Sequence, residues 1–197
     1  GEVGVRLWQL MLVAPLGALA TLSNSASSPP ANTSHVARNE VLSHCRPGEA
    51  VAFSCRFRRT VGSVCAGGGQ VHYRYGPIGS PDIDIGNTAD WSNIHLGHVI
   101  GGGGGHQTHI RFTNGETHYI VFEMEQGQYH DRPGHYSYGI AVVAGERGER
   151  EIANFRCRSA GTMSEYDPFS AAVASQTSRE VLERLEEVQD GPFDGWF

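Results

Sequence analysis

The sequence predicts an all-β protein, an antiparallel β-sandwich or small barrel with one C-terminal helix. Between residues 45 and 158, apolar side chains recur at every second position in several short runs, which is typical of strands with one buried face. Glycine, asparagine and aspartate separate these runs at short intervals, as in sandwiches and barrels built from hairpins. Near the end of the chain the apolar spacing changes to that of a helix.

The predicted strands follow one another along the chain. One side of the first carries Val51, Phe53, Cys55 and Phe57, and one side of the second carries Val71, Tyr73 and Tyr75. In the second strand, His72 and Arg74 point the opposite way, because side chains alternate along a strand. The last candidates are the runs Ile140–Val143 and Ile152–Cys157.

The segment THIRFTNGETHYIVFEM predicts a hairpin. Its Asn114-Gly115 pair favours a two-residue type I′ turn, which would place Arg111 opposite His118. One face of the hairpin is then expected in the core, and it carries Ile110, Phe112, Tyr119 and Val121. The other face is more polar and carries His109, Arg111, His118 and Ile120.

The C-terminal helix is predicted over about residues 177–189. Thr177 or Ser178 can cap it, and its apolar stripe consists of Val181, Leu182, Leu185 and Val188. The closing segment GPFDGWF is aromatic and glycine-rich, and we expect it either to pack on the β domain or to fray.

Residues 1–26 are typical of a signal peptide, with Arg6 before an apolar run and small residues around Ala26. The run is interrupted by Pro15 and is shorter than the roughly 20 residues of a membrane span, so no span is expected in the mature chain. The predicted organisation continues with a flexible linker (27–44), a β domain (45–158) and a tail (159–197). This pattern predicts a periplasmic or secreted protein.

The four cysteines, Cys45, Cys55, Cys65 and Cys157, form an even set. In an oxidising compartment such a set predicts two disulfides, and the wide spacing does not fit a zinc or C-x-x-C redox motif. Three pairings are possible. Alternation turns both Cys55 and Cys157 towards the core, which favours their pairing and leaves Cys45 with Cys65.

Composition and motifs restrict the chemistry. The net charge is −6, and all 15 basic residues are arginine, which argues against nucleic acid because phosphate contacts need a clustered basic face. The run Gly101–Gly105 precedes a strand and is followed by no lysine, so it does not fit a phosphate-binding loop. Aspartates in PDIDIGNTADW miss the spacing of a calcium loop.

The ten histidines include two pairs spaced by three residues, in HLGH and HQTH. Residues three apart on a strand point to opposite faces, so these pairs do not predict a metal site, and no cofactor is expected. Glu123 and Glu125 share a strand face, a common pattern that does not by itself indicate an enzyme. No catalytic residue is predicted. The residues expected to be exposed for binding are Arg74, Arg111 and His118, and the competing interpretation for them is a solvated sheet face.

The motif order SC…SVCA…VHYRYG…GGGG…IRFTNG…YIVF…IANFRC resembles a family of small exported bacterial β-domain proteins that carry no assigned function. The resemblance covers roughly residues 45–158 and implies structural cysteines and no catalytic residues. A more distant likeness, in the layout around Cys55 and Cys157, is to the periplasmic inhibitors of c-type lysozyme, which implies a small barrel.

These observations favour an exported, non-catalytic module that binds an unknown protein or cell-envelope component. The alternatives are a lysozyme-inhibitor-like protein and a metal-dependent hydrolase that uses the histidines.

Overall fold

The computed structural model describes residues 42–160, 167–186, 192–193 and 195–197. In this part of the chain, ten strands form two antiparallel sheets and two short helices follow. The fold is a β-sandwich, which confirms the all-β prediction. The predicted signal peptide (1–26) and most of the predicted linker (27–44) lie outside the described residues.

Sheet A has the strand order β10-β1-β2-β3-β4 and contains β1 (Ala50–Arg56), β2 (Thr60–Gly67), β3 (Gln70–Pro77), β4 (Ile83–Gly86) and β10 (Ser159–Ala160). Sheet B follows chain order and contains β5 (Ile94–Ile100), β6 (His106–Asn114), β7 (Thr117–Glu125), β8 (Tyr136–Ala144) and β9 (Arg150–Arg156). The helices are α1 (Pro168–Ala174) and α2 (Arg179–Leu185). None of the helices in the described segments is long and apolar enough to cross a membrane.

The main core lies between the two sheets and under the helices. Tyr73 of sheet A joins it to sheet B, with its ring 5.8 Å from that of Phe112 and 5.3 Å from that of Tyr119. Phe169 of α1 is fully buried against Phe53. Burial of these aromatic side chains is the main driving force for closing the sandwich.

The tail forms two helices where the sequence predicted one. The predicted helix exists as α2, capped by Ser178, but it ends at Leu185; Val188 lies outside the described residues. The missed helix is α1, whose first turn is capped by the Asp167 side chain, which accepts hydrogen bonds from two backbone N–H groups. The sequence contained its signal, an N-cap Asp followed by Pro168 at the first helical position.

The predicted hairpin forms, with its turn one residue later than expected. The turn residues are Gly115 and Glu116, and Thr113 pairs with His118. Gly115 has φ +61°, the conformation required at the first central position of a type II′ turn. The pairing is shifted by two residues along the partner strand, so the same side chains still share each face. The sequence therefore predicted the core face of the hairpin correctly, although it placed the turn one residue too early.

The first strand contains a β-bulge between Val51 and Phe53. Val51 pairs with Cys65 and Phe53 with Val64, so Val51 and Phe53 lie on opposite faces, contrary to the predicted alternation. The bulge turns the start of β1 outward. Val51 therefore shares the outer face of sheet A with Cys65, while Cys55 is fully buried inside.

Both favoured disulfides are present, Cys45–Cys65 and Cys55–Cys157. They close loops of very different length, with sequence separations of 20 and 102 residues. Cys45–Cys65 holds the segment before β1 on sheet A. Cys55–Cys157 joins the first strand of sheet A to the end of the last strand of sheet B.

Replacing Cys55 and Cys157 together by alanine is expected to lower the free energy of unfolding by up to about 4.7 kcal/mol, because the disulfide restricts a loop of roughly 100 residues in the unfolded chain. Replacing Cys45 and Cys65 together is expected to cost about 3 kcal/mol. Urea unfolding of the oxidised double variants measures both values. A larger loss from the Cys45/Cys65 pair would contradict the prediction.

Candidate functional site

The first predicted binding residue, Arg74, is buried, with 1% of its surface exposed, so its expected exposure is wrong. Its guanidinium donates two hydrogen bonds to the Glu49 carboxylate, at 2.6 and 2.9 Å. It also lies 3.0 Å from Asp84 and donates to the carbonyl of His44. Alternation correctly placed Arg74 on the outer face of sheet A. However, the segment before β1 covers this part of the face, and the Cys45–Cys65 disulfide holds the segment there.

The charges around Arg74 stabilise one another. The hydrogen bonds from Arg74 lower the pKa of Glu49 and, in return, the bonds to Glu49 raise the pKa of Arg74. Partial burial acts to raise the pKa of Asp84, but its hydrogen bonds with Arg74 and His72 outweigh burial and lower it. All three groups are therefore charged at neutral pH, and their ion pairs hold the segment before β1 on sheet A.

The other two predicted binding residues, Arg111 and His118, are also buried, each with 5% of its surface exposed. The Arg111 guanidinium lies 3.9 Å from the ring centre of Phe193, and the His118 ring lies 4.6 Å from that ring. The His118 Nε2 is also 2.9 Å from the carbonyl oxygen of Gly145. The closing aromatic segment thus packs on the outer face of sheet B and covers these side chains, which corrects their predicted exposure.

Metal-ligating side chains converge at one place in the described segments, and no histidine belongs to it. The group is Cys45, Glu49 and Cys65, with ligand atoms within 4.8 Å of one another. Both sulfur atoms are consumed in a disulfide, so they offer no thiolate to a metal.

A cavity opens where the chain passes from sheet B to sheet A. The Cys157 N–H bonds to the carbonyl of Tyr138 on β8, and the Arg158 N–H bonds to that of Arg56 on β1. Because β9 ends at Arg156, the first residues of β8 lie beside the departing chain and not beside a full strand. The resulting cavity has a volume of about 450 Å³.

We call this space the arginine cavity. It is lined by Met124, Gln126, Arg132, His135, Tyr136, Ser137, Tyr138, Arg156, Cys157 and Arg158. Within the described segments, neither Arg132 nor Arg158 forms an ion pair with a carboxylate. Arg156 lies over the Phe122 ring at 4.7 Å and donates to the carbonyl of Phe197, and burial lowers its pKa.

Several polar atoms at the arginine cavity lack a hydrogen-bond partner within the described part of the chain. They are Oε1 of Gln126, Nδ1 of His135 and Oγ of Ser137. A buried polar atom without a partner costs about 1–3 kcal/mol, so these atoms are available to water or to a bound ligand. Beside them, the rings of Tyr136 and Tyr138 are nearly parallel, with centres 6.5 Å apart.

Glu123 lies behind the arginine cavity on β7, in cross-strand register with Thr108 and Tyr138. It is 5% exposed, and its Oε2 has no hydrogen-bond partner among the described residues. Burial, and then the charge of Asp167 at the start of α1, raise the pKa of Glu123 to about 7. Glu125, two residues on, instead accepts a hydrogen bond from Tyr136 at 2.7 Å. Glu123 is too buried to meet a ligand in this conformation.

Comparisons with protein-family models, curated proteins and solved structures find no match to this chain.

The sequence missed the residues of the arginine cavity. They come from the β7–β8 loop, from β8 and from the end of β9, which are remote in sequence. Arg156 and Arg158, which flank Cys157, carried a usable signal, because a disulfide-linked cysteine fixes the position of its neighbours. Nothing in the loop indicated that Arg132 would lie beside them.

Replacing Arg74 by methionine is expected to lower the free energy of unfolding at pH 7 by about 3–5 kcal/mol, because it leaves Glu49 and Asp84 without their buried partner. The control is Arg46→Met, since exposed Arg46 also pairs with Asp84, and it should cost under about 1 kcal/mol. Because the carboxyl pKa values are lowered on folding, this contribution is present above about pH 5 and lost on acidification. Urea unfolding from pH 3 to 7 measures it. Equal losses in the two variants would contradict the buried role of Arg74.

Replacing Glu123 by glutamine is expected to flatten the pH dependence of stability between pH 4.5 and about 7. The folded-state pKa of Glu123 is about 7, against 4.5 ordinarily. Between these pH values the carboxyl ionises in the unfolded chain but stays protonated in the folded protein, so stability falls as the pH rises. The loss is at most about 3 kcal/mol. Urea unfolding from pH 4 to 8 measures it, with exposed Glu151→Gln as control. The prediction fails if both variants follow the wild-type curve.

Proposed function

We propose that this protein is an exported, non-catalytic module that binds an organic anion in the arginine cavity. The observation that carries the proposal is the convergence of Arg132, Arg156 and Arg158 on a cavity of about 450 Å³. This volume lies in the ordinary range of small-ligand sites. Within the described segments, neither Arg132 nor Arg158 pairs with a carboxylate, while Arg156 donates a hydrogen bond to Phe197.

The charge distribution supports an anionic ligand. The chain is acidic, with 21 acidic and 15 basic residues, yet three arginines line one cavity. Elsewhere the arginines Arg46, Arg74 and Arg179 each pair with a carboxylate. A guanidinium binds a carboxylate or phosphate through two parallel hydrogen bonds, so the arginine cavity suits a ligand that carries such a group.

The remaining lining supports an organic ligand with a ring or a carbon skeleton. Tyr136 and Tyr138 offer aromatic surface, while Ser137, Gln126 and His135 offer polar atoms that have no partner among the described residues. Small-molecule sites commonly combine apolar walls with a few directed polar groups.

The two disulfides support a role outside the reducing cytosol, since such bonds persist in oxidising compartments. Together with the sequence of residues 1–26, which is typical of a signal peptide, they favour a periplasmic or secreted protein. A cell-envelope component is then the natural source of the anion. Lysozyme inhibition and histidine-dependent hydrolysis stay predictions of the sequence.

A titration with galacturonate, a sugar acid, tests the proposal. We expect saturable amide chemical-shift changes at Ser137, Tyr138 and Arg158 in NMR spectra, and none with neutral galactose. Arg158→Gln is expected to weaken binding about tenfold or more, because a hydrogen bond to a charged group contributes about 1.5–3 kcal/mol.

Arg150→Gln is the matched control. It removes the same charge from the exposed start of β9, at the opposite end of the strand, and should leave the affinity unchanged. Shift changes that do not saturate, or equal weakening in both variants, would show that the arginine cavity is not a specific anion site.

A further inference from the structure

Two glycines of the run at residues 101–105, Gly101 and Gly103, have a steric explanation that the sequence does not reveal. A Cβ atom on Gly101 would lie 2.4 Å from Cζ2 of Trp196. A Cβ atom on Gly103 would lie 2.9 Å from Cδ2 of Tyr129, and Gly103 also has φ +72°. Only glycine fits both conditions without strain. The run therefore allows two aromatic rings to lie directly against the backbone.

Backbone contacts fix this arrangement. The Gln128 N–H donates to the carbonyl of Gly103 at 2.9 Å, and the Gly101 N–H donates to that of Gly105 at 2.8 Å. Gly127 lies so close that an added Cβ would be 2.5 Å from the Gly102 oxygen and the Gly105 nitrogen. The β5–β6 loop and the β7–β8 loop thus hold each other in place.

The rings are nevertheless open to solvent. Tyr129 is 80% exposed and Trp196 41% exposed, and neighbouring Ile100 is 62% exposed. The His130 ring lies 6.1 Å from that of Trp196. We call Ile100, Tyr129 and Trp196 the aromatic platform. Large apolar side chains that are exposed around one loop of a folded protein are a candidate interaction site.

The aromatic platform and the arginine cavity share one loop. Tyr129 stands on the platform, while Arg132 and His135 of the same β7–β8 loop line the cavity. Tyr129 and Arg132 are three residues apart, so their Cα atoms lie within roughly 11 Å. A ligand that reached both would combine apolar faces with anionic groups at short intervals along its length.

We propose that the aromatic platform stacks on the apolar faces of sugar rings, and that the ligand of this protein is an acidic polysaccharide. The identification of the polymer as acidic rests on the proposed function, because its carboxylates would enter the arginine cavity. A pyranose ring has an apolar face of C–H groups and a rim of hydroxyls, so it matches a flat aromatic side chain that is open on one face.

The test compares three probes by isothermal titration calorimetry: galacturonate, a galacturonate oligomer and a neutral galactan oligomer of equal length. The wild-type protein is expected to bind the acidic oligomer at least ten times more tightly than the monomer. Tyr129→Ala and Trp196→Ala should each remove most of this gain and leave the affinity for the monomer unchanged. The control is Ile152→Ala, which removes an equally exposed apolar side chain from β9 (Ile152 is 51% exposed).

The outcomes separate the two proposals. If the monomer binds but the oligomer binds no more tightly, the aromatic platform is not a sugar site and the anion-binding function stands. If the neutral oligomer binds as tightly as the acidic one, and only the platform variants weaken it, the sugar site is supported while the anionic class and the proposed function fail. If none of the three probes binds, both proposals are overturned. Tyr129→Ala changes a highly exposed loop residue, so a failure to fold would not explain its result.

Discussion

The structure depends on the point at which residues 157–158 pass from one sheet to the other. Hydrogen bonds tie Cys157 to β8 and Arg158 to β1, and the disulfide to Cys55 fixes the crossing covalently. This crossing brings the ends of the two sheets together. The same departure of the chain from β8 opens the arginine cavity, so the element that closes the fold also creates its candidate site.

Both outer faces of the sandwich are covered by segments of the chain itself. The segment before β1 covers the part of sheet A around Arg74, held there by one disulfide and by ion pairs. The closing aromatic segment covers sheet B, where the Gln107 side chain bonds to the carbonyl of Gly195 and to the N–H of Phe197. Polar residues on these strands are consequently buried. The exposed groups suited to binding, such as Tyr129 and Arg132, lie in and beside the β7–β8 loop of sheet B. The two covering segments leave these two side chains exposed.

Some local features could be predicted from the sequence and others could not. The core face of the β6–β7 hairpin was predictable because a shift of two residues preserves alternation, although the turn itself was misplaced. The outward position of Val51 was not, since a bulge arises from the pairing of two strands and leaves no mark on one. The arginine cavity was not predictable for a similar reason. Arg132 and Arg158 line the same cavity only because β9 carries the chain back beside the β7–β8 loop.

The sequence by itself determined the all-β class and favoured the observed pairing of the four cysteines, because alternation and cysteine parity are properties of short segments. Only the tertiary structure decided what covers each outer face. It placed Arg74, Arg111 and His118 under chain segments, and it left Tyr129 and Trp196 exposed on a glycine support. A strand's pattern states which way a side chain points, whereas burial depends on what the rest of the chain brings to that side.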